Sequence, residues 1–322
     1  QLLTNGAQDQ YLTGNPAVTF FKSVYRQYTN FSMESIKLDI NGSVESGTKV
    51  TFNVPRHADL LTNCWIEFKL LEGSPKPKLG HSFLSCFKTI ELEIGGQKID
   101  KHTGDWLRIW SELSLPAEKK EAYDRLVNQT DEINLNQDLI SSGIFNASSG
   151  KMSPELHSNL ETFYVPLQFF FCKNPGLALP LLSMQYHETK IIIEFNEFDT
   201  YTQQYGSGLQ DVDVRIQRGH DKSYINLSNY EVNIYGNYIF LDYDERKRFI
   251  ESSHQILIEQ VQYVTTNLSA STKLNFNHPI KEIMWVVQPI SNTDLTYTEN
   301  LGGPQYFNFT DSIDTTYFSG TP

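Results

Sequence analysis

The chain has 322 residues, with 38 acidic and 26 basic side chains, a formal net charge of −12, 13% aromatic and only 20% charged residues. That length suffices for two domains of ordinary size, each with a sizeable core. The acidic balance, without a block of five or more lysines and arginines, excludes direct packaging of nucleic acid, which needs concentrated positive charge, and keeps a concentrated subunit soluble instead.

From the start of the chain, residues 15–28 read as a short helix, with Asn15 as cap, Pro16 at the first turn, and Val18, Phe21, Tyr25 and Tyr28 in one stripe. Lys22, Arg26 and Gln27 lie off the stripe, and the helix is expected to plug one end of a barrel. Strands follow at short, regular spacing. Ile36, Leu38 and Ile40 alternate with polar residues up to an Asn41-Gly42 turn. Val50, Phe52 and Val54 alternate likewise and stop at Pro55, and Cys64, Ile66, Phe68 and Leu70 make a third strand. The loop 72–82, with Gly73, Pro75, Pro77 and Gly80, reads as a projecting turn. Ile90, Leu92 and Ile94 form a strand before Gly95-Gly96. Residues 105–127 turn helical in period, with Trp106, Ile109, Trp110 and Leu113 on one face and a break at Pro116. The polar stretch 128–154 reads as a surface excursion.

The segment 163–195 is the most apolar of the chain. Phe163, Val165, Leu167, Phe169 and Phe171 alternate with Tyr164, Gln168 and Cys172, which predicts a strand reaching Cys172. Residues 190–195 predict another, rich in isoleucine. The connection between them carries Leu177, Leu179, Leu181 and Leu182, too apolar for a solvated loop, so these four are expected to face another barrel or another subunit. A polar loop over 201–210 and strands at Val212–Ile216 and Tyr230–Leu241 follow, which makes eight strands and one jelly roll.

A second domain is legible as a repeat. Thr48-Lys49-Val50-Thr51-Phe52-Asn53 returns 224 residues later as Thr272-Lys273-Leu274-Asn275-Phe276-Asn277, and Pro55 and Pro279 keep the offset. Each copy is followed by a tryptophan-bearing strand, Cys64-Trp65-Ile66 and Met284-Trp285-Val286. Strands are therefore expected at 256–264, 274–277 and 283–287. The divisions that result are an arm over 1–30, a first jelly roll over 31–242, a charged linker over 243–253 and the start of a second jelly roll over 254–322. Too few residues remain after Gln288 to finish that barrel, and the chain opens at Gln1 without methionine, so both ends read as trimmed.

No chemistry of a reaction is legible. None of the eight histidines forms the His-x-His pair of a jelly-roll metal site, and the neighbours His187 and Glu188 point to opposite faces of an extended chain. Gly95-Gly96 lacks the further glycines of a dinucleotide loop. Cys64, Cys86 and Cys172 have no metal-ligand spacing, and Cys64 and Cys172 read as small buried hydrophobes in a reducing compartment. No enzyme activity, metal or cofactor is expected, and no apolar run reaches the roughly 18 residues of a membrane-spanning helix. Asn-x-Ser/Thr acceptor patterns for glycans occur at Asn30, Asn41, Asn128, Asn146, Asn226, Asn267 and Asn308. These are weak candidates, because composition alone supplies about four.

Four stretches carry a family resemblance in the family's own order. They are GAQDQYLTGNPAVTFFKSVYRQYTNFSMESI, IELEIGGQKIDKHTGDW, YVPLQFFFCKNPGLALPLLSMQYHE, and the pair YIFLDYDERKRF and LNFNHPIKEIMW. Together they resemble the major capsid proteins of the nucleocytoplasmic large DNA viruses. The resemblance implies an all-β double jelly roll that trimerises into capsomers of an icosahedral shell, assembled in the host cytoplasm, with neighbouring capsomers as partners. It also implies that the arm lies on the inner side of the shell, where Phe21, Lys22, Tyr25 and Arg26 would meet minor capsid proteins and the internal viral membrane. A minor or penton-type capsid protein, or a carbohydrate-binding jelly-roll module, is the alternative, and gel filtration separates them: a capsomer is a stable trimer.

Overall fold

The computed structural model describes residues 30–77, 82–129, 160–198, 225–267 and 271–289, with short pieces at 6–7, 145–146, 151–152, 158, 222–223, 269, 307 and 309. The expected helix at 15–28, the strand at 212–216, the loop at 201–210 and most of the excursion at 128–154 lie outside the described residues.

Alternation of apolar and polar side chains becomes sheet in a series of strands between residues 31 and 241. In chain order the strands are β1 (Phe31–Lys37), β2 (Asp39–Asn41), β3 (Lys49–Asn53), β4 (Leu60–Leu70), β5 (Phe87–Ile94) and β6 (Gln97–His102). They continue with the two-residue β7 (Phe145–Asn146) and β8 (Lys151–Met152), then β9 (Thr162–Pro166) and β10 (Thr189–Phe195). The two-residue β11 (Glu197–Phe198) and β12 (Lys222–Ser223) precede the long β13 (Tyr230–Leu241). The helices used below are α1 (Gly104–Ser114), α2 (Ala117–Leu126), the single turn α3 (Phe170–Lys173) and α4 (Tyr243–Glu251).

Two antiparallel sheets face each other, one in the order β1-β13-β4-β9 and the other in the order β2-β3-β10-β5-β6. β1 and β2 are one extended segment shared between them, dividing at buried Leu38, whose N–H donates to Ile234 O at 2.8 Å. Counted that way, eight strands cross repeatedly from sheet to sheet, which is a jelly roll. The inward residues fill the space between: Val50 and Phe52 of β3, Ile66 and Phe68 of β4, Ile90 and Leu92 of β5, and Ile191 and Ile193 of β10 are all buried. Phe83 sits at one end of this core against Phe163 at 4.5 Å, Phe68 at 4.8 Å and Tyr230 at 5.3 Å between ring centroids. Each such ring or branched chain contributes about 1.5–3 kcal/mol by leaving water.

Four expectations change. The eighth strand of the barrel is β6, which follows a hairpin turn with Gly95 and Gly96 at φ of 59° and 80°, where side chains other than glycine strain. The strand expected to reach Cys172 ends at Pro166, with one further backbone hydrogen bond from Leu167 N–H to Cys64 O at 2.9 Å. Beyond it the chain coils into α3, closed by Cys172 N–H to Phe169 O at 2.9 Å. On α1 the buried side is Gly104, Leu107 and Ser111, while Trp106, Ile109 and Trp110 are only half-buried and Leu113 is exposed. A Cβ on Gly104 would lie 2.3 Å from Leu84 O and 2.9 Å from Phe87 O, so glycine is what lets this helix, capped by Thr103, rest on the start of β5. Finally, the segments expected as strands at 256–264, 274–277 and 283–287 form neither strand nor helix.

One cluster on the outer face of the five-stranded sheet sets an acid limit on the barrel. Glu91, only 7% exposed, is ringed by Lys98 at 2.6 Å, Lys101 at 3.6 Å and Lys49 at 3.8 Å. Burial works to raise its carboxyl, but Lys98 and then Lys49 and Lys101 outweigh it and hold the group below the usual carboxylate range. A lowered folded value means that the stabilisation is complete above the unfolded value near 4.3 and vanishes as pH falls through the folded one. Glu91→Gln is therefore expected to cost about 1–3 kcal/mol at pH 7 and progressively less below pH 4. Thermal melts at the two pH values check this, and a deficit that does not change with pH would contradict it.

Candidate assembly surfaces

The apolar connection starts as a turn in which Asn174 Oδ1 accepts from Gly176 N–H at 2.8 Å. It then adds itself to the barrel. Leu179 and Leu61 exchange both backbone hydrogen bonds, at 2.8 and 3.0 Å, and Leu182 N–H donates to Asp59 O at 3.1 Å. Leu179 and Leu181 are each 2% exposed and belong to the barrel's own core, so the expectation that they face a neighbour is corrected. The fold itself covers them, because the connection is pinned along β4. Leu177 and Leu182 stay half exposed.

Leu182 and Met184 line one side of a cleft of about 600 Å³ whose other side is Phe249, Ile256 and Ile258, and whose floor includes Ile99. This is where the chain leaves the barrel. Asp59, buried, accepts from Leu241 N–H at 2.7 Å and from Arg246 Nε at 2.9 Å, which ties α4 to the end of β13. Ser183 Oγ donates to Phe249 O of the same helix at 3.0 Å. The next residues run beside the outer strand β6: Val261 N–H donates to Asp100 Oδ1 at 2.9 Å, Gln260 Nε2 to Ile99 O, and Lys101 lies 5.7 Å over the ring of Tyr263. Asp100 is itself buried and paired with His102 Nε2 at 2.9 Å. Glu259 bridges Lys173, at 3.6 Å, and Lys281. Gln262 then clasps Asn277 through both backbone groups, at 2.9 and 3.2 Å. Apolar side chains that a barrel would enclose stand open here, with Leu257 87% and Trp285 81% exposed. Asp59 and Asp100 carry no periodic signal, and sequence reasoning passed over both.

A second surface is the outer face of the four-stranded sheet. Trp65 stacks on Tyr235 at 6.1 Å and 17°, and the Glu67 carboxylate is near the hydroxyls of Tyr164 and Tyr235. Burial first, and then the Glu67 charge, push both phenols above their ordinary value. Tyrosine and tryptophan are the side chains that interface centres favour.

Phe21, Lys22, Tyr25 and Arg26 lie outside the described residues, as does Asn308. Asn30, Asn41 and Asn267 are exposed, Asn146 is in β7, and Asn226 caps the turn Leu227–Asn229 through its side chain. Asn128 is 1% exposed with a left-handed φ of 58°, which leaves no room for a glycan and removes it from the candidates. Among the described residues no group of three or more His, Cys, Asp and Glu is placed to hold a metal ion, and no helix is long and apolar enough to cross a membrane.

Comparison with known proteins gives one consistent pattern. The family described as "Major capsid protein N-terminus" matches residues 19–242, and "Large eukaryotic DNA virus major capsid protein" matches residues 245–318. The major capsid protein of Pyramimonas orientalis virus is 39% identical over 327 residues, 95% of this chain and 73% of its own. That of Phaeocystis pouchetii virus is 37% identical over 344 residues, 98% of this chain and 64% of its own. That of Paramecium bursaria Chlorella virus 1 is 38% identical over 294 residues, 88% of this chain and 59% of its own. Among solved structures, the PBCV-1 virus capsid superposes with a TM-score of 0.57 at 36% identity, covering 81% of this chain and 57% of that one. The chain thus spans roughly two thirds of the relatives it matches.

Proposed function

The chain belongs to the major capsid proteins of the large eukaryotic DNA viruses, and from that premise we propose that it builds the viral shell as a homotrimeric capsomer, without enzymatic activity or cofactor. The double jelly-roll class of the family suits that task. Two similar barrels per subunit give a trimer six similar lobes, a pseudo-hexagonal block that tiles a lattice without sixfold symmetry.

The observation that carries this reading is the open apolar face over residues 256–287, with Leu257 and Trp285 foremost. Side chains patterned for a barrel interior and left in water are built to be covered, by the rest of a second barrel and by neighbouring subunits. The divisions we propose are an arm over 1–30, a first barrel over 31–242, a linker over 243–253 carrying α4, and a second barrel from 254. The arm, through Phe21, Lys22, Tyr25 and Arg26, would meet minor capsid proteins and the internal membrane, and the shell would assemble in the host cytoplasm. Leu177, and Leu182 at the cleft, remain the contact candidates of the apolar connection.

Limited proteolysis with mass spectrometry tests this. The isolated chain is expected to be cut within 252–289 and to leave a protected fragment through α4, whereas assembled shells should protect the same bonds. Equal cutting in shells and isolated chain would contradict the reading, and so would a sedimentation mass of one chain for the protein recovered from shells under mild conditions.

A further inference from the structure

The two sheets of the barrel turn different faces outward. On the five-stranded sheet the outer side chains are largely lysines and glutamates that pair among themselves: Lys88 with Glu194 at 3.1 Å, and Lys98, Lys101 and Lys49 around Glu91. On the four-stranded sheet, alternation puts Phe31 and Met33 of β1, Trp65 of β4, Tyr164 of β9, and Tyr235 and Ile239 of β13 on the side away from the core. Phe31 is 61% and Met33 53% exposed, and the other four are half-buried. The register joins them across all four strands, with Met33 opposite Ile239, Tyr235 opposite Trp65, and Tyr164 one rung along, opposite Glu67. β13 is twelve residues long, about 40 Å, and four strands at their usual spacing make the face about 20 Å wide. That is about 800 Å², one partner's share of an interface of standard size.

On the basis of the trimeric capsomer put forward above, we propose that this outer face is where a second copy of the chain docks. The chain's own described continuation lies elsewhere. After α4 it follows β6, at the far edge of the other sheet, through Val261 N–H to Asp100 Oδ1 at 2.9 Å and the Lys173–Glu259 pair at 3.6 Å. Every copy of the chain carries the face, so its occupant must be as abundant as the chain, and a second copy is. A closed ring of three joins unlike surfaces, so this face of one subunit meets a different side of the next, and one such band serves each of the three contacts. The Trp65–Tyr235 stack is already formed in the single chain, so docking on it orders little that was free. An apolar band left in water gains most by being covered.

The test uses the full-length protein in three forms: unaltered, with Met33→Arg and Trp65→Arg, and with Met33→Leu and Trp65→Phe. Sedimentation should give the mass of three chains for the unaltered and the conservatively altered protein. The arginine form should sediment as one chain, because cations covered without partners lose their solvation, while its thermal melt stays cooperative. Hydroxyl-radical footprinting of the unaltered protein needs no variant. Met33, Trp65 and Tyr235 should be oxidised several-fold less in isolated trimers than in subunits separated under mild conditions. A folded arginine form that is still trimeric, or equal oxidation in trimer and subunit, would overturn the docking face while leaving the trimer intact. Protection that appears only in whole shells would do the same, by assigning the face to another component. An unaltered protein with the mass of one chain contradicts the capsomer itself, and this face with it.

Discussion

Replacing Leu179 and Leu181 together by aspartate is expected to unfold the barrel, where a surface contact would only weaken assembly. Both side chains are 2% exposed, and Leu179 is fixed by two backbone hydrogen bonds to Leu61. Losing a buried leucine costs about 2–5 kcal/mol, and a carboxylate left there without a partner costs several more. Two such changes exceed the 5–15 kcal/mol or so that holds a domain folded. Leu177→Asp with Leu182→Asp, at half-exposed positions of the same connection, should leave a cooperative melt and lose only assembly. Circular dichroism melts of the two double variants decide the matter. A folded monomer from the first pair would show that the leucines serve an interface after all.

Gly104→Ala should be nearly as damaging for a different reason. Helix propensity alone makes alanine better than glycine by about 1 kcal/mol in a helix. Here the added Cβ would sit 2.3 Å from one backbone oxygen and 2.9 Å from another, and neither can swing away as a flexible side chain would. Lifting α1 off Leu84 and Phe87 is expected to cost about 2–4 kcal/mol, so the steric loss wins. Urea titration of the variant measures the difference. A midpoint above that of the parent would mean that the helix shifts freely and that propensity decides.

Much of the barrel was legible because its strands bury one face and wet the other. Val50 and Phe52, Ile66 and Phe68, and Ile191 and Ile193 keep their period in the sequence and their burial in the fold. β6 escaped because Gln-Lys-Ile-Asp-Lys-His is polar but for Ile99. Its buried positions are Asp100 and His102, which pair at 2.9 Å in the interior where an apolar pair would have announced a strand. The run from Phe163 to Phe171 misled in the opposite sense. Its phenylalanines are buried on successive residues, so an alternating pattern and a helical turn both fit the letters, and the turn at Phe170–Lys173 is visible only in the fold. The apolar connection was rightly seen as covered, but periodicity says nothing about who covers it. Only the pairing of Leu179 with Leu61 answers that.

The ends of the barrel meet on one rung. Phe31, the first residue of β1, is registered opposite Leu241, the last of β13, and Asn30 Nδ2 donates to Asp242 Oδ2 at 3.3 Å. A unit whose entrance and exit coincide can be copied head to tail along a gene without rethreading its interior, since each copy needs only a short bridge from its last strand to the next one's first. The return of the Thr48–Asn53 pattern at Thr272–Asn277 is what such a tandem duplication leaves behind. The corner where Phe31 pairs with Leu241 is thus the seam at which one ancestral barrel could become two.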